Sequence, residues 1–230
     1  MADIRDIEVV VFDVLGTLVD EPGGLRTAIR DAIPASGDAL VDESLSLWQR
    51  HREREERRIG QGQRPYAGTE TIDAEAARRV ADHARLTDPA AIARLATASQ
   101  RLPPWDDSVA ALDRLARHFA VLGLSNAGRT ALLRLSAHAG LRWHQALSAE
   151  TVLAYKPAPE VYQLAIDAAG CPPERVLMVA AHAWDLRAAR ARGMRTAYVR
   201  RPGGDPPTSS DDFDRRFDRL GDLVTALTTT

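Results

Sequence analysis

The sequence predicts an α/β protein: a doubly wound parallel sheet whose first strand is separated from the others by an inserted helical cap. Three observations carry this prediction. Residues 7–13 are rich in β-branched side chains and apolar without a break from Val9 to Phe12, the pattern of a strand buried on both faces. Residues from roughly 19 to 100 contain no convincing strand but several helical stretches. After Pro103-Pro104, strands and helices alternate, as a parallel sheet requires.

In the insert, residues 25–33, 39–59, 72–86 and 90–102 read as helix, with apolar positions such as Leu45, Trp48 and Ile59 at helical spacing. The charged run from Arg50 to Arg58 reads as a solvated helix face with i,i+4 ion pairs. Beyond the double proline, a helix over 108–118 leads to a strand at 119–124. A helix at 129–139 and a short strand at 145–148 follow. The helix at 159–169 starts on Pro159, whose missing N–H costs nothing in a first turn. Next come a strand at 175–181, a helix at 184–192 closed by Gly193, and a fifth strand at 196–199. Residues 202–210 form a loop, and a helix at 220–227 closes the chain. The expected division is a core of residues 1–18 and 101–230 with a cap of residues 19–100. An insert that follows a strand end lies over that end, which is where open α/β sheets bind ligands.

Bulk properties exclude several function classes. The 230 residues carry a net charge of −2 with an isoelectric point near 6.3, so no preference for nucleic acid or a membrane surface follows. No apolar run reaches bilayer length, and the charged opening Met1-Ala2-Asp3-Ile4-Arg5-Asp6 does not read as a signal peptide. Cys171 is the single cysteine, which fits a reducing cytoplasm.

Polar residues gather at the predicted strand ends. The first strand ends in Asp13, followed by Leu15, Gly16 and Thr17; the second ends in Ser125-Asn126; the fourth runs into Ala180-Ala181-His182-Ala183-Trp184-Asp185. Between them lies Tyr155-Lys156-Pro157, with Tyr162 six residues after Lys156. Taken singly, each has a bland reading: Ser125-Asn126 as a helix cap, Lys156 as a loop lysine, Asp185 as a first-turn acid. Their order at successive strand ends is what argues for a site.

That combination, with Leu47-Trp48 in the insert, resembles the haloacid dehalogenase (HAD) superfamily over nearly the whole chain, and within it the type II 2-haloacid dehalogenase branch. The resemblance implies a five-stranded, Rossmann-like parallel core of order 5-4-1-2-3 with a helical cap. It implies Asp13 as the nucleophile on C2 of a small organic acid, displacing halide to form an ester that water hydrolyses to a hydroxy acid. Lys156 would keep Asp13 ionised and Asp185 would position or activate the water. Thr17 would orient Asp13, and Ser125 and Asn126 would hold the substrate carboxylate or ester oxygens. Tyr162 would hold Lys156, and Trp184 would pack. No cofactor and no metal are implied. Phosphatases of the superfamily place a second aspartate at the position of Leu15 and an acid at that of Ala181; two apolar residues there argue against a magnesium site. A homodimer is compatible with the resemblance.

Four positions depart from the branch pattern. Leu15 stands where a tyrosine is usual, Gln49 where an arginine receives the halide, and Ala180 and His182 where serine and asparagine are usual. Arg50 adjoins Gln49 but points about 100° away on a helix. Two readings follow. Either Arg50, Arg52 or a protonated His182 replaces the missing cation, or the nucleophile serves another C2-substituted acid. Opening of azetidine-2-carboxylate is an example, with His182 supplying a proton to the leaving amine. A third reading, a binding protein that has lost catalysis, requires Lys156 and Asp185 to lie away from Asp13.

Overall fold

The computed structural model describes residues 6–229; the opening Met1-Ala2-Asp3-Ile4-Arg5 lies outside the described residues. Its sheet is wholly parallel and has six strands. In chain order they are β1 (Val9–Asp13), β2 (Ala120–Ser125), β3 (Gln145–Ser148), β4 (Val176–Ala180), β5 (Arg195–Val199) and β6 (Arg215–Phe217). The spatial order is β3-β2-β1-β4-β5-β6, so the expected five-strand order holds and β6 extends it at one edge. Arg215-Arg216-Phe217 has no apolar run to announce a strand; pairing with β5 alone makes it one. All five residues of β1 are buried, as its unbroken apolar run requires.

The two faces of β1 feed two apolar layers. Val10 and Phe12 pack with Leu112 of α5 (Ser108–Leu115), Leu132 of α6 (Arg129–Ala139) and Leu223 of α9 (Leu220–Thr228). Val9 and Val11 face Val161 of α7 (Pro159–Ala169) and Leu186 of α8 (Ala183–Ala191). The sheet is therefore doubly wound, and β1, with neighbours on both edges, puts its C-terminal residue at the centre of one sheet end.

Between β1 and β2 lie α1 (Glu21–Ala32), α2 (Asp38–Gly60), α3 (Thr69–Ala84) and α4 (Pro89–Ala96), then a 3-10 turn at Ala98–Arg101. Trp48 of α2 is fully buried among them. The two chain crossings between insert and core run side by side: Asp20 N donates to Pro103 O at 2.9 Å and Trp105 N to Leu18 O at 3.1 Å. The charged run of α2 is a solvated face only in part: Arg50, Glu53, Arg54, Arg57 and Arg58 are exposed and Arg52 approaches Glu56 at i,i+4, but the other side is packed. His51 and Glu55 are buried, and Arg64 donates to both Glu55 and Glu75 at 2.7–3.0 Å, stitching α2 to α3. These neighbouring cations hold the Glu55 carboxyl down to about 2 despite its burial. The run thus splits into a tertiary ion cluster on one side and, on another, a wall of the cavity described next.

Candidate active site

Asp13 is the last residue of β1, and the chain turns back at once through Gly16 at φ +77°. A side chain there would be doubly costly: the backbone is left-handed, and a Cβ would meet His182 Nε2 at 2.7 Å. The turn brings Thr17 beneath its own strand end. Thr17 Oγ1 donates to Asp13 Oδ2 at 2.6 Å and accepts from Ala181 N at 2.9 Å, tying the ends of β1 and β4 together. Lys156 Nζ reaches Asp13 Oδ1 at 2.9 Å and Asp185 Oδ2 at 2.8 Å. Tyr162 OH donates to Asp185 Oδ1 at 2.5 Å. The four side chains beneath Asp13 are buried, so this carboxylate–ammonium–carboxylate array sits in low dielectric.

Electrostatics within the array are consistent. Burial alone would lower the Lys156 pKa; Asp13 and then Asp185 outweigh it and raise it, keeping the ammonium charged. Burial pushes Asp185 up, with Asp13 adding to the rise and Lys156 opposing it. Tyr162 is raised by burial and by the Asp185 charge, so it stays a neutral donor.

Above Asp13 opens a cavity of about 730 Å³. Its floor is Asp13, Lys156, Asn126 and Leu15; His182 and Trp184 form one side; α2 forms the roof. Gln49 does not line it. One turn later on α2, Arg52, Glu53, Glu56, Arg57 and Gly60 do, a stripe at i, i+4 and i+8 spacing widened by its i+1 neighbours. Arg50 lies on another face, beside His83. Ser125 is buried and its Oγ accepts from Ala127 N at 3.1 Å; it shapes the turn after β2 rather than lining the cavity. Asn126 does line it, but both ends of its amide are engaged: Oδ1 accepts from Lys156 N at 2.8 Å and Nδ2 donates to Glu56 at 3.4 Å. Tyr162 bonds Asp185, not Lys156. His182 stacks on Trp184 with ring centroids 5.8 Å apart, and its Nε2 lies 3.3 Å from Leu15 O.

Glu21, Glu56, Arg57 and Asp73 were not legible as site residues. They form the cavity roof and the shell behind it. Arg52 is ion-paired to Glu21, lies 3.6 Å from Glu56 and has its Nε 3.5 Å from Asp73. Burial works against the Arg52 charge, but the surrounding carboxylates raise its pKa further. Burial lifts Glu56 to about 7, with Glu21 and Asp73 adding to the rise and Arg52 and Asn126 opposing it. Arg57 has no side-chain partner among the described residues.

A strand-end carboxylate held by a buried lysine, at the mouth of a capped parallel sheet, is the frame of a hydrolase site. The sequence profile of the haloacid dehalogenase-like hydrolases matches residues 7–193. An (S)-2-haloacid dehalogenase of Pseudomonas putida is 31% identical over 204 residues, covering 87% of this chain and 88% of that one. (S)-2-haloacid dehalogenase 1 of Pseudomonas sp. strain CBS-3 is 33% identical over 201 residues, with 85% of each chain covered. A crystal structure of an L-2-haloacid dehalogenase superposes with a TM-score of 0.86 at 31% identity, covering 96% of this chain and 99% of that one. The chain belongs to the haloacid dehalogenase-like hydrolases. It is of the 2-haloacid dehalogenase type and not a member of the phosphatase branch. Among the described residues, no helix is long and apolar enough to cross a membrane.

Proposed function

We propose that this chain hydrolyses the carbon–halogen bond of short 2-haloalkanoic acids. The observation that carries the reading is the Asp13–Lys156–Asp185 array: a carboxylate facing a cavity, with its charge held by a buried ammonium. Asp13 Oδ attacks C2 from the side opposite the halogen. The C2–halogen bond breaks with both electrons leaving on the halide, and an Asp13 ester forms. Water then adds to the ester carbonyl. The bond from the Asp13 carboxyl carbon to the oxygen on C2 breaks, the 2-hydroxy acid leaves, and one proton goes to solvent.

Thr17 Oγ1 fixes one Asp13 oxygen and Lys156 the other, so the attacking oxygen is oriented before substrate arrives. Asp185 lies under Lys156 with both oxygens bonded, a position suited to holding the ammonium; water for the second step reaches the ester from the cavity side. Arg57, unpaired on the cavity wall, is suited to docking the substrate carboxylate. Residues 19–100 serve as the cap domain. The single cysteine fits an enzyme of the reducing cytoplasm.

The test is halide release from 2-chloro- and 2-bromopropionate in both configurations. Because the relatives named above are (S)- or L-2-haloacid dehalogenases, the (S) forms are the expected substrates. Asp13→Asn lowers the rate by at least about 10³-fold. In heavy-oxygen water, a single turnover labels Asp13 and leaves the product hydroxyl unlabelled. Absence of halide from every one of these acids overturns the reading.

A further inference from the structure

The cap of this chain presents an arginine to the cavity, yet that arginine is not available to a departing anion. Arg52 is paired with Glu21 and closely approached by Glu56 and Asp73, each from a different turn or helix. A halide arriving there would meet a guanidinium already surrounded by carboxylates. Backside attack is linear, so a group displaced by Asp13 leaves toward the α2 roof. On that roof, Glu56 is held only loosely: Asn126 Nδ2 lies 3.4 Å and Arg52 Nη2 3.6 Å from its oxygens.

We propose that Glu56 is a catalytic residue of the cap, donating the hydrogen bond that receives the group leaving C2, and that the enzyme is thereby suited to basic leaving groups, with fluoride the most demanding halide. The proposal rests on the displacement chemistry assigned to Asp13 above. As the C2–halogen bond breaks, both its electrons go to the halide. The Glu56 O–H points its hydrogen at the halide, the proton remains on Glu56, and the halide departs as the anion. The overall balance is unchanged: 2-haloacid and water give 2-hydroxy acid, halide and one solvent proton.

The surroundings of Glu56 favour the protonated form this role needs. From α2 itself come Arg52, Glu53 and Arg57; from α1, Glu21; from α3, Asp73; from the core, Asn126 and Tyr155. The one cation in direct contact is shared with Glu21 and Asp73, so negative charge is in excess unless a carboxyl keeps its proton. Burial lifts the carboxyl to about 7, which makes it a donor near neutrality. Asp73, whose Oδ2 accepts from Ser99 Oγ at 2.5 Å, lies behind Arg52 and outside the cavity lining.

Hydrogen-bond donation matters more as the leaving group becomes more basic, and that gradient is the test. Halide release by wild type and Glu56→Met, which keeps the side-chain length and removes the donor, is measured on 2-bromo-, 2-chloro- and 2-fluoropropionate. The expected losses in the variant are less than about 3-fold for bromide, about 10-fold for chloride and at least about 100-fold for fluoride. The far-ultraviolet circular dichroism and thermal midpoint of the same preparation report that the variant is folded. A variant-free arm follows wild type with pH: fluoride release falls as pH rises through about 7, where Glu56 gives up its proton, while bromide release stays level. An equal loss on all three substrates, or pH profiles of the same shape, overturns the proposal. So does a wild type that releases bromide but no fluoride. No halide from any substrate with wild type overturns the displacement reading itself, and the proposal with it.

Discussion

The floor and the roof of the cavity balance their charges in opposite ways. On the floor, one ammonium sits between two carboxylates, Asp13 and Asp185, within 2.9 Å of each, and Thr17 and Tyr162 supply neutral donors to their outer oxygens. The hydrogen-bonding of the floor is satisfied before substrate binds. On the roof, one guanidinium serves Glu21, Glu56 and Asp73, with two of these contacts at 3.5–3.6 Å. The roof is over-supplied with carboxylates and resolves the excess by retaining a proton. On the proposed mechanism, a pre-paired floor suits an oriented nucleophile, and a proton-retaining roof suits a donor to whatever that nucleophile expels.

The contrast breaks most sharply at Lys156. Lys156→Met leaves Asp13 and Asp185 facing each other without a cation in a buried setting. Removing one partner of such a cluster costs about 3–5 kcal/mol of stability. Asp13 also loses the ammonium that fixes one of its oxygens, so turnover is expected to fall on the order of 10²–10³-fold. Thermal unfolding with halide-release kinetics measures both. A variant as stable as wild type would mean that the floor is not electrostatically coupled.

The floor was legible in the sequence because its groups hang from strand ends, from the loop entering α7, or from the first turns of α7 and α8. Apolar runs fix where a parallel strand stops, and polar residues at or just past those stops meet in one place: Asp13, Asn126 and, in the first turn of α8, Asp185. The roof was not legible, because helix phase had to be known to within a residue. Gln49 follows the buried Trp48 directly, yet the face that meets Asp13 begins one turn later at Arg52. A run such as Arg52-Glu53-Arg54-Glu55-Glu56-Arg57 gives charge on every side of the helix. Only tertiary packing decides that Glu55 is buried against Arg64 while Glu56 enters the cavity. β6 escaped for a related reason: a three-residue edge strand with two arginines has no period of its own.

The roof's proton gives a second, intermediate effect on stability. Glu56 has a folded-state pKa of about 7, above the ordinary glutamate value it takes when unfolded. The folded state therefore binds the proton more tightly in the window between those values. Stability falls as pH rises from about 4.5 through about 7, and is level above. The contribution is on the order of 1–3 kcal/mol. Glu56→Gln removes this slope and is the more stable protein at pH 8, while Lys156→Met is destabilised at every pH. Denaturant titrations at a series of pH values separate the two; parallel curves for Glu56→Gln and wild type would place the retained proton elsewhere in the roof.

The smallest expected effect lies where roof and floor are joined. Helix α6 begins at Gly128 with no side-chain cap of its own, and the first residues of α3 supply one across the domain boundary. Thr69 Oγ1 accepts from Gly128 N at 2.8 Å, and Glu70 Oε1 accepts from Ala131 N at 3.3 Å. The carboxylate also lies at the positive end of the helix dipole. A Cβ at position 128 would meet Glu70 Oε2 at 2.4 Å, so a side chain there would displace the Glu70 carboxylate from the helix end. Tyr155 OH adds a bond to Ala67 O at 2.7 Å from the same strand-end loop that carries Lys156. Thr69→Val removes the acceptor for Gly128 N and costs about 1 kcal/mol. Because the latch spans cap and core, the loss appears first as faster amide exchange at Gly128 and in the first turn of α3, with exchange in the central strands β1 and β4 little changed. Equal acceleration throughout the sheet would mean that cap and core unfold as one unit and that roof and floor do not respond separately.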